Sequence, residues 1–197
     1  MSFLDSLFSK AKTELKNATT KAASVAASKA AQKTETFRFE KLPGSADEFK
    51  ALPESVLASP FQTAALTVVA LACFETCGEN ACYDMLQFLK GPGTLSNLEK
   101  QQIKFKFGDQ IFLPRSYFEG SKPGNNYTPD KPYTVKIFTN PYSFQNEGYA
   151  TLWVTSGGAD SPRQIQLRLK PSTGQWFLNE QFLLPDIRIP IEQDAWA

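Results

Sequence analysis

The chain has 197 residues, 42% of them hydrophobic and 21% charged, with a net charge of +1, which fits one globular domain plus an appendage. It contains no histidine, so the commonest general base and zinc ligand is missing and hydrolase and metalloenzyme classes are disfavoured. Three clustered cysteines, Cys73, Cys77 and Cys82, are an odd number, which argues against a secreted disulfide framework and fits a reducing cytoplasm.

Residues 1–33 read as a separate long amphipathic helix rich in Ala and Lys. Phe3, Leu4, Leu7, Phe8, Ala11 and Leu15 recur at steps of mostly three and four, and Ala18, Ala22, Val25 and Ala26 continue the stripe. Six lysines (10, 12, 16, 21, 29, 33) against Asp5 and Glu14 give this stretch +4, so the remaining residues sum to −3. Lys10, Lys12 and Lys16 interrupt any apolar core of a leader, so a secretory signal is not expected. A basic helix on an acidic body points to contact with an anionic membrane surface or with a helical protein partner. Burying each bulky residue is worth about 1.5–3 kcal/mol, and each nearby lysine adds roughly 1 kcal/mol on an anionic leaflet. Arginine is absent from the helix and no basic stripe marks the body, so nucleic acid is not an expected partner.

Residues 34–59 read as a connector, with Ser45 and Glu48 forming a capping box before a short helix around Phe49. Ser59-Pro60 with Gln62 opens a helix to about Thr76, apolar nearly all round and therefore central. A helix over about 79–90 follows, closed by Gly91-Pro92-Gly93. Ser96 and Glu99 cap a third, shorter helix carrying Leu98 and Ile103. From about residue 110 the period becomes two: Tyr133-Val135-Ile137, Tyr149-Thr151-Trp153 and Ile165-Leu167-Leu169 read as strands, followed by a strand near 176–182. The expected fold is α+β over residues 60–197, with the helices packed on a curved antiparallel sheet of four to five strands.

Leu113-Pro-Arg-Ser-Tyr-Phe118, Asn125-Asn-Tyr-Thr-Pro129, Gly157-Gly-Ala-Asp-Ser-Pro-Arg163 and Gln175-Trp-Phe-Leu-Asn-Glu-Gln-Phe182 are the motifs that carry a resemblance, together with the ending from Asp186 to Trp196. Over about residues 60–197 the chain resembles a bacterial domain-of-unknown-function family common in Firmicutes and gut anaerobes. That resemblance implies a bacterial, cytoplasmic protein and supplies no catalytic residues.

No P-loop, Rossmann fingerprint, nucleophile elbow or calcium loop is present, and no cofactor or metal is implied. The three cysteines lack the fourth ligand of a structural zinc site and read as core packing, with a reactive thiol at Cys77 or Cys82 as the sharper alternative. Asp160 and Arg163 are expected to pair across a tight turn, and Ile187, Ile189 and Trp196 to dock the C-terminal tail. Two functions remain in view. One is a non-enzymatic binding or adaptor module, peripheral at the inner membrane face, held there by Phe3, Leu4, Leu7, Phe8, Lys10, Lys12, Leu15 and Lys16. The other is a small-molecule binder or histidine-independent enzyme with a polar pocket of Arg115, Tyr117, Tyr149 and Glu180 between helices and sheet.

Overall fold

The computed structural model describes residues 32–196. The amphipathic stretch, with its membrane- or partner-binding residues from Phe3 to Lys16, lies outside the described residues. From Thr34 onward the chain forms one compact unit.

That unit opens with a strand, β1 (Thr34–Phe39), in the stretch that reads as a connector. β1 pairs antiparallel with β2 (Tyr133–Phe138), setting Phe37 opposite Val135 and Phe39 opposite Tyr133. An edge strand has one pairing partner and a half-exposed face, so its apolar content is too low to stand out in sequence. The capped helix around Phe49 is α1 (Ala46–Lys50): Ser45 Oγ accepts from the Glu48 amide at 3.2 Å and the Glu48 carboxylate accepts from the Gly44 amide at 3.1 Å.

α2 (Pro60–Cys77) starts at the expected capping box, in which Ser59 N–H donates to Gln62 Oε1 and Phe61 N–H to Ser59 Oγ, both at 3.2 Å. Its 18 residues are long and apolar enough to cross a membrane by composition alone, yet 72% of them are buried inside this fold. A helix apolar on all sides needs cover on all sides, and α2 packs against all five strands of the sheet, against α3 (Glu79–Lys90) and against the 3-10 turns Pro53–Val56 and Leu113–Tyr117. Gly78 ends α2 at φ 84° and Gly91 ends α3 at φ 53°. α4 (Asn97–Asp109) has 13 residues and is not the shorter helix expected. Ile103 and Phe107, one turn apart and both buried, carry it past the polar residues around them.

The remaining strands are β3 (Tyr149–Val154), β4 (Arg163–Lys170) and β5 (Gln175–Gln181). The sheet is a five-stranded antiparallel meander in the order β1-β2-β3-β4-β5 and does not close. Its free β5 edge is covered: Trp176 N–H donates to Leu57 O at 2.9 Å, Thr63 Oγ1 donates to Trp176 O at 2.7 Å and Lys90 Nζ to Asn179 O at 3.2 Å. Covering the edge removes a template for unwanted strand pairing.

Register decides which residues meet the helices. Ala150, Leu152 and Val154 of β3 are buried and stand opposite Leu167, Ile165 and Arg163. Tyr149, Thr151 and Trp153 therefore point away from the helices, so the aromatic set of β3 is its outward face. α2 fills the space under the sheet, and the recesses among the described residues open at the surface, two of them at the margins where helix and strand residues meet.

Candidate functional site

The outward face of the sheet forms three cross-strand rows. Phe138, Trp153 and Gln164 make the first; Thr151, Gln166 and Glu180 the second; Tyr149, Arg168 and Phe177 the third. A slip in register between Gln166 and Leu167 brings Glu180 and Phe177 onto the same side although three positions separate them. The Arg168 guanidinium lies over the Tyr149 ring, 5.5 Å from its centroid, a contact worth about 0.5–1 kcal/mol at an exposed position.

Two recesses flank this arginine. One, of about 220 Å³, lies between β3 and the segment 142–146 and is lined by Tyr142, Gln145, Asn146, Tyr149, Thr151 and Trp153. Its rim is pinned to the strand. Asn140 Oδ1 accepts from the Tyr142 amide at 2.8 Å, Ser143 O from the Thr151 amide at 2.8 Å, and Asn146 O from the Tyr149 amide at 3.0 Å. The other recess, of about 380 Å³, lies beside the Gly91-Pro92-Gly93 turn and is lined by Phe177, Asn179, Lys90, Arg168 and Lys170. Lys90 is already paired there with Glu99 at 2.8 Å, so Arg168 and Lys170 supply the available positive charge. Burial pulls the Glu99 carboxyl upward, but Lys90 and Ser96 outweigh it and hold the group below the usual range.

The four expected pocket residues divide between two sides of the molecule. Tyr149 and Glu180 stand on the outward face, in neighbouring rows. Tyr117 is buried and donates to Leu183 O at 2.7 Å. Burial pushes its hydroxyl above the ordinary range against the opposing pull of Arg163. Arg115 sits near Glu75 at 3.5 Å, in a separate recess with Phe118 and Tyr133. Sequence reading missed Arg168, Phe177 and the outward direction of Trp153. The available signal was that Tyr149-Thr151-Trp153 alternates with the equally apolar Ala150-Leu152-Val154, so period two alone leaves the core face undecided.

Other expected contacts are exchanged for different ones. Asp160 pairs with Arg188 of the C-terminal segment, while Arg163 donates to Asp186 O at 3.1 Å. Of the three residues expected to dock the tail, Ile187 is buried, whereas Ile189 is 42% and Trp196 96% exposed. Backbone contacts secure the tail instead, since Tyr127 Oη donates to Arg188 O at 2.6 Å and Arg188 N–H to Gly158 O at 2.9 Å.

Two of the three cysteines converge on one backbone oxygen: the Cys73 and Cys77 thiols lie 3.5 and 3.1 Å from Pro43 O. Burial, with Cys77 and Glu79 nearby, pushes the Cys82 thiol up to about 12, and burial raises Cys73 further still. A thiol held protonated is a poor nucleophile and metal ligand. Among the described residues no group of three or more His, Cys, Asp or Glu side chains is placed to hold a metal ion.

Comparison with known proteins supplies no function. No curated protein and no solved structure matches the chain. A family model does match residues 41–191, and it starts earlier than residue 60, taking in α1 and its Ser45 cap, where the Glu48 carboxylate reaches Gly44 N–H and not the Ser45 amide that a capping box requires. The chain therefore belongs to the family described as domain of unknown function DUF6935.

Proposed function

We propose that this chain is a non-enzymatic binding module of the cytoplasm, in which the outward sheet face recognises a ligand and the N-terminal segment attaches the module reversibly to the anionic inner face of a membrane. The observation that supports binding is the outward face itself. Tyr149, Trp153 and the Gln164 and Gln166 amides are set in register there, beside two open recesses and outside the buried core, while Phe177 packs against the core at the sheet margin. Concave sites that combine aromatic surface with a few placed polar groups are the usual form of a ligand site. The hydroxyls of Tyr117 and Tyr127, by contrast, are spent on backbone carbonyls in structural roles.

Attachment is supported by the charge division of +4 over residues 1–33 against −3 over the rest, and by the bulky apolar residues Phe3, Leu4, Leu7 and Phe8 beside Lys10 and Lys12. An apolar stripe with flanking lysines gives interfacial, reversible binding. Vesicle flotation tests it, comparing the full chain with a Leu7→Glu/Phe8→Glu variant on neutral and anionic liposomes. Flotation on anionic vesicles that weakens with salt and is lost in the variant supports attachment. Failure of the full chain to float overturns it and leaves a helical protein partner as the occupant of the stripe.

A further inference from the structure

We infer that the recess between β3 and the 142–146 segment is a subsite for a neutral carbohydrate, one ring of a longer glycan. The inference rests on reading the outward sheet face as a binding surface and names what one part of it takes.

The lining decides the class. Tyr142, Tyr149 and Trp153 contribute aromatic rings, Gln145 and Asn146 carboxamides, and Thr151 a hydroxyl. None of these six groups is charged at neutral pH. The nearest charge, the Arg168 guanidinium, lies over the Tyr149 ring and outside this lining, so the recess offers a charged ligand no ion pair from its own walls. Carboxamides and hydroxyls each donate and accept, which matches the paired donor and acceptor character of sugar hydroxyls. Aromatic rings cover the C–H face of a pyranose while their polar edges stay wet.

The polar groups are unspent. The side chains of Gln145, Asn146, Thr151 and Trp153 make no hydrogen bond among the described residues. Elsewhere Asn125 and Asn140 are used up within their own loops.

Geometry disfavours an extended peptide as the occupant. Strand addition needs free backbone groups at a sheet edge, but the Tyr149 and Thr151 amides are already taken by Asn146 O and Ser143 O. Those bonds also hold the rim in place before any ligand arrives, which lowers the ordering cost of binding. A volume of about 220 Å³ falls below the ~300–1,000 Å³ usual for drug-sized ligands and suits a single ring with its neighbours lying across the open face.

The test uses the full chain and a panel of neutral hexasaccharides built from glucose, mannose, xylose or N-acetylglucosamine. Tryptophan fluorescence and saturation-transfer NMR are the readouts. Phenyl phosphate, an anionic aromatic probe, is titrated in parallel against the Arg168 recess. The expected result is saturable binding of at least one hexasaccharide that is insensitive to salt. Trp153→Ala should weaken it by at least about tenfold, as for a central aromatic contact. Gln145→Ala, on the exposed rim, should weaken it several-fold with an unchanged melting curve, and Trp196→Ala should leave it intact. No binding across the panel, or binding that survives Trp153→Ala and Gln145→Ala unchanged, overturns the assignment. If the panel fails while phenyl phosphate binds and is lost in Arg168→Ala, the glycan assignment falls and the binding face stands. If both probes fail, both readings fall.

Discussion

The two faces of the sheet are both rich in apolar side chains, yet only one of them is core. Inward, Val135, Ile137, Leu152, Ile165 and Leu167 are buried at 0% exposure. Outward, Trp153, Phe138 and Phe177 are half-buried and Tyr149 is exposed. Side-chain shape and cross-strand neighbours separate the faces where hydrophobicity does not. The inward residues are aliphatic and face α2. The outward residues are aromatic and stand beside Gln164, Gln166 and Arg168. Aliphatic side chains interdigitate into a dry layer, whereas rings beside amides leave polar edges that water or a ligand can meet. The lesson is that a strand apolar on both faces needs its neighbours before its core side can be named.

The largest test of this division is Leu152→Ala. Removing a fully buried leucine from the inward face should cost about 2–5 kcal/mol in denaturant unfolding. A loss under 1 kcal/mol, roughly the scale of surface positions, would break the comparison.

Gly91→Ala probes the junction where the two faces meet the α3 turn. A Cβ there would stand 2.3 Å from the Phe177 ring, at a backbone φ of 53°. The expected cost is about 1–3 kcal/mol from overpacking and strain, with the Arg168 recess reshaped. An unchanged melt would show that Phe177 swings freely and that this recess is soft.

Tyr117→Phe removes a buried hydroxyl and leaves Leu183 O without its donor. About 1–2 kcal/mol should be lost, measured by thermal unfolding; no loss would mean that water replaces the hydroxyl and that this region is wetter than the inward face.

Acid titration gives a smaller effect with a defined sign. The folded pKa of Glu99 lies below its ordinary 4.5, so the charged form favours the fold. Its contribution is complete above pH 4.5 and is lost as pH falls through the lower folded value. Glu99→Gln should flatten that part of the acid limb while leaving stability near neutral pH less affected than Leu152→Ala does. An acid limb identical to that of the parent protein would exclude Glu99 as a contributor.

The smallest change is expected from Trp153→Ala. Its loss from an outward row should cost no more than about 1 kcal/mol, despite the size of the side chain. A cost matching that of Leu152→Ala would make the outward face structural and remove the basis for calling it a binding surface.

Much of this molecule is legible in its sequence, and the legible parts are those decided within a few residues. Ser45, Ser59 and Ser96 mark helix starts because each cap is a local hydrogen bond to a backbone amide no more than three residues away. Gly78 and Gly91 mark helix ends because both adopt positive φ. Period-two patterning after residue 110 gives the β2–β5 meander, and the all-round apolar run from Pro60 gives the central helix.

Tertiary structure alone decided three things. It made 34–39 a strand, because an edge strand depends on a distant partner, here Tyr133–Phe138 with Phe39 opposite Tyr133 and Thr34 opposite Phe138. It turned Tyr149 and Trp153 outward, because pairing with β4 fixes which side of β3 meets α2. It also separated Arg115 and Tyr117 from Tyr149 and Glu180, placing the first two beside Glu75 and Leu183 and the others on the open face. Each outcome follows from long-range register, and a one-residue change of register exchanges the two faces of a strand without changing its sequence.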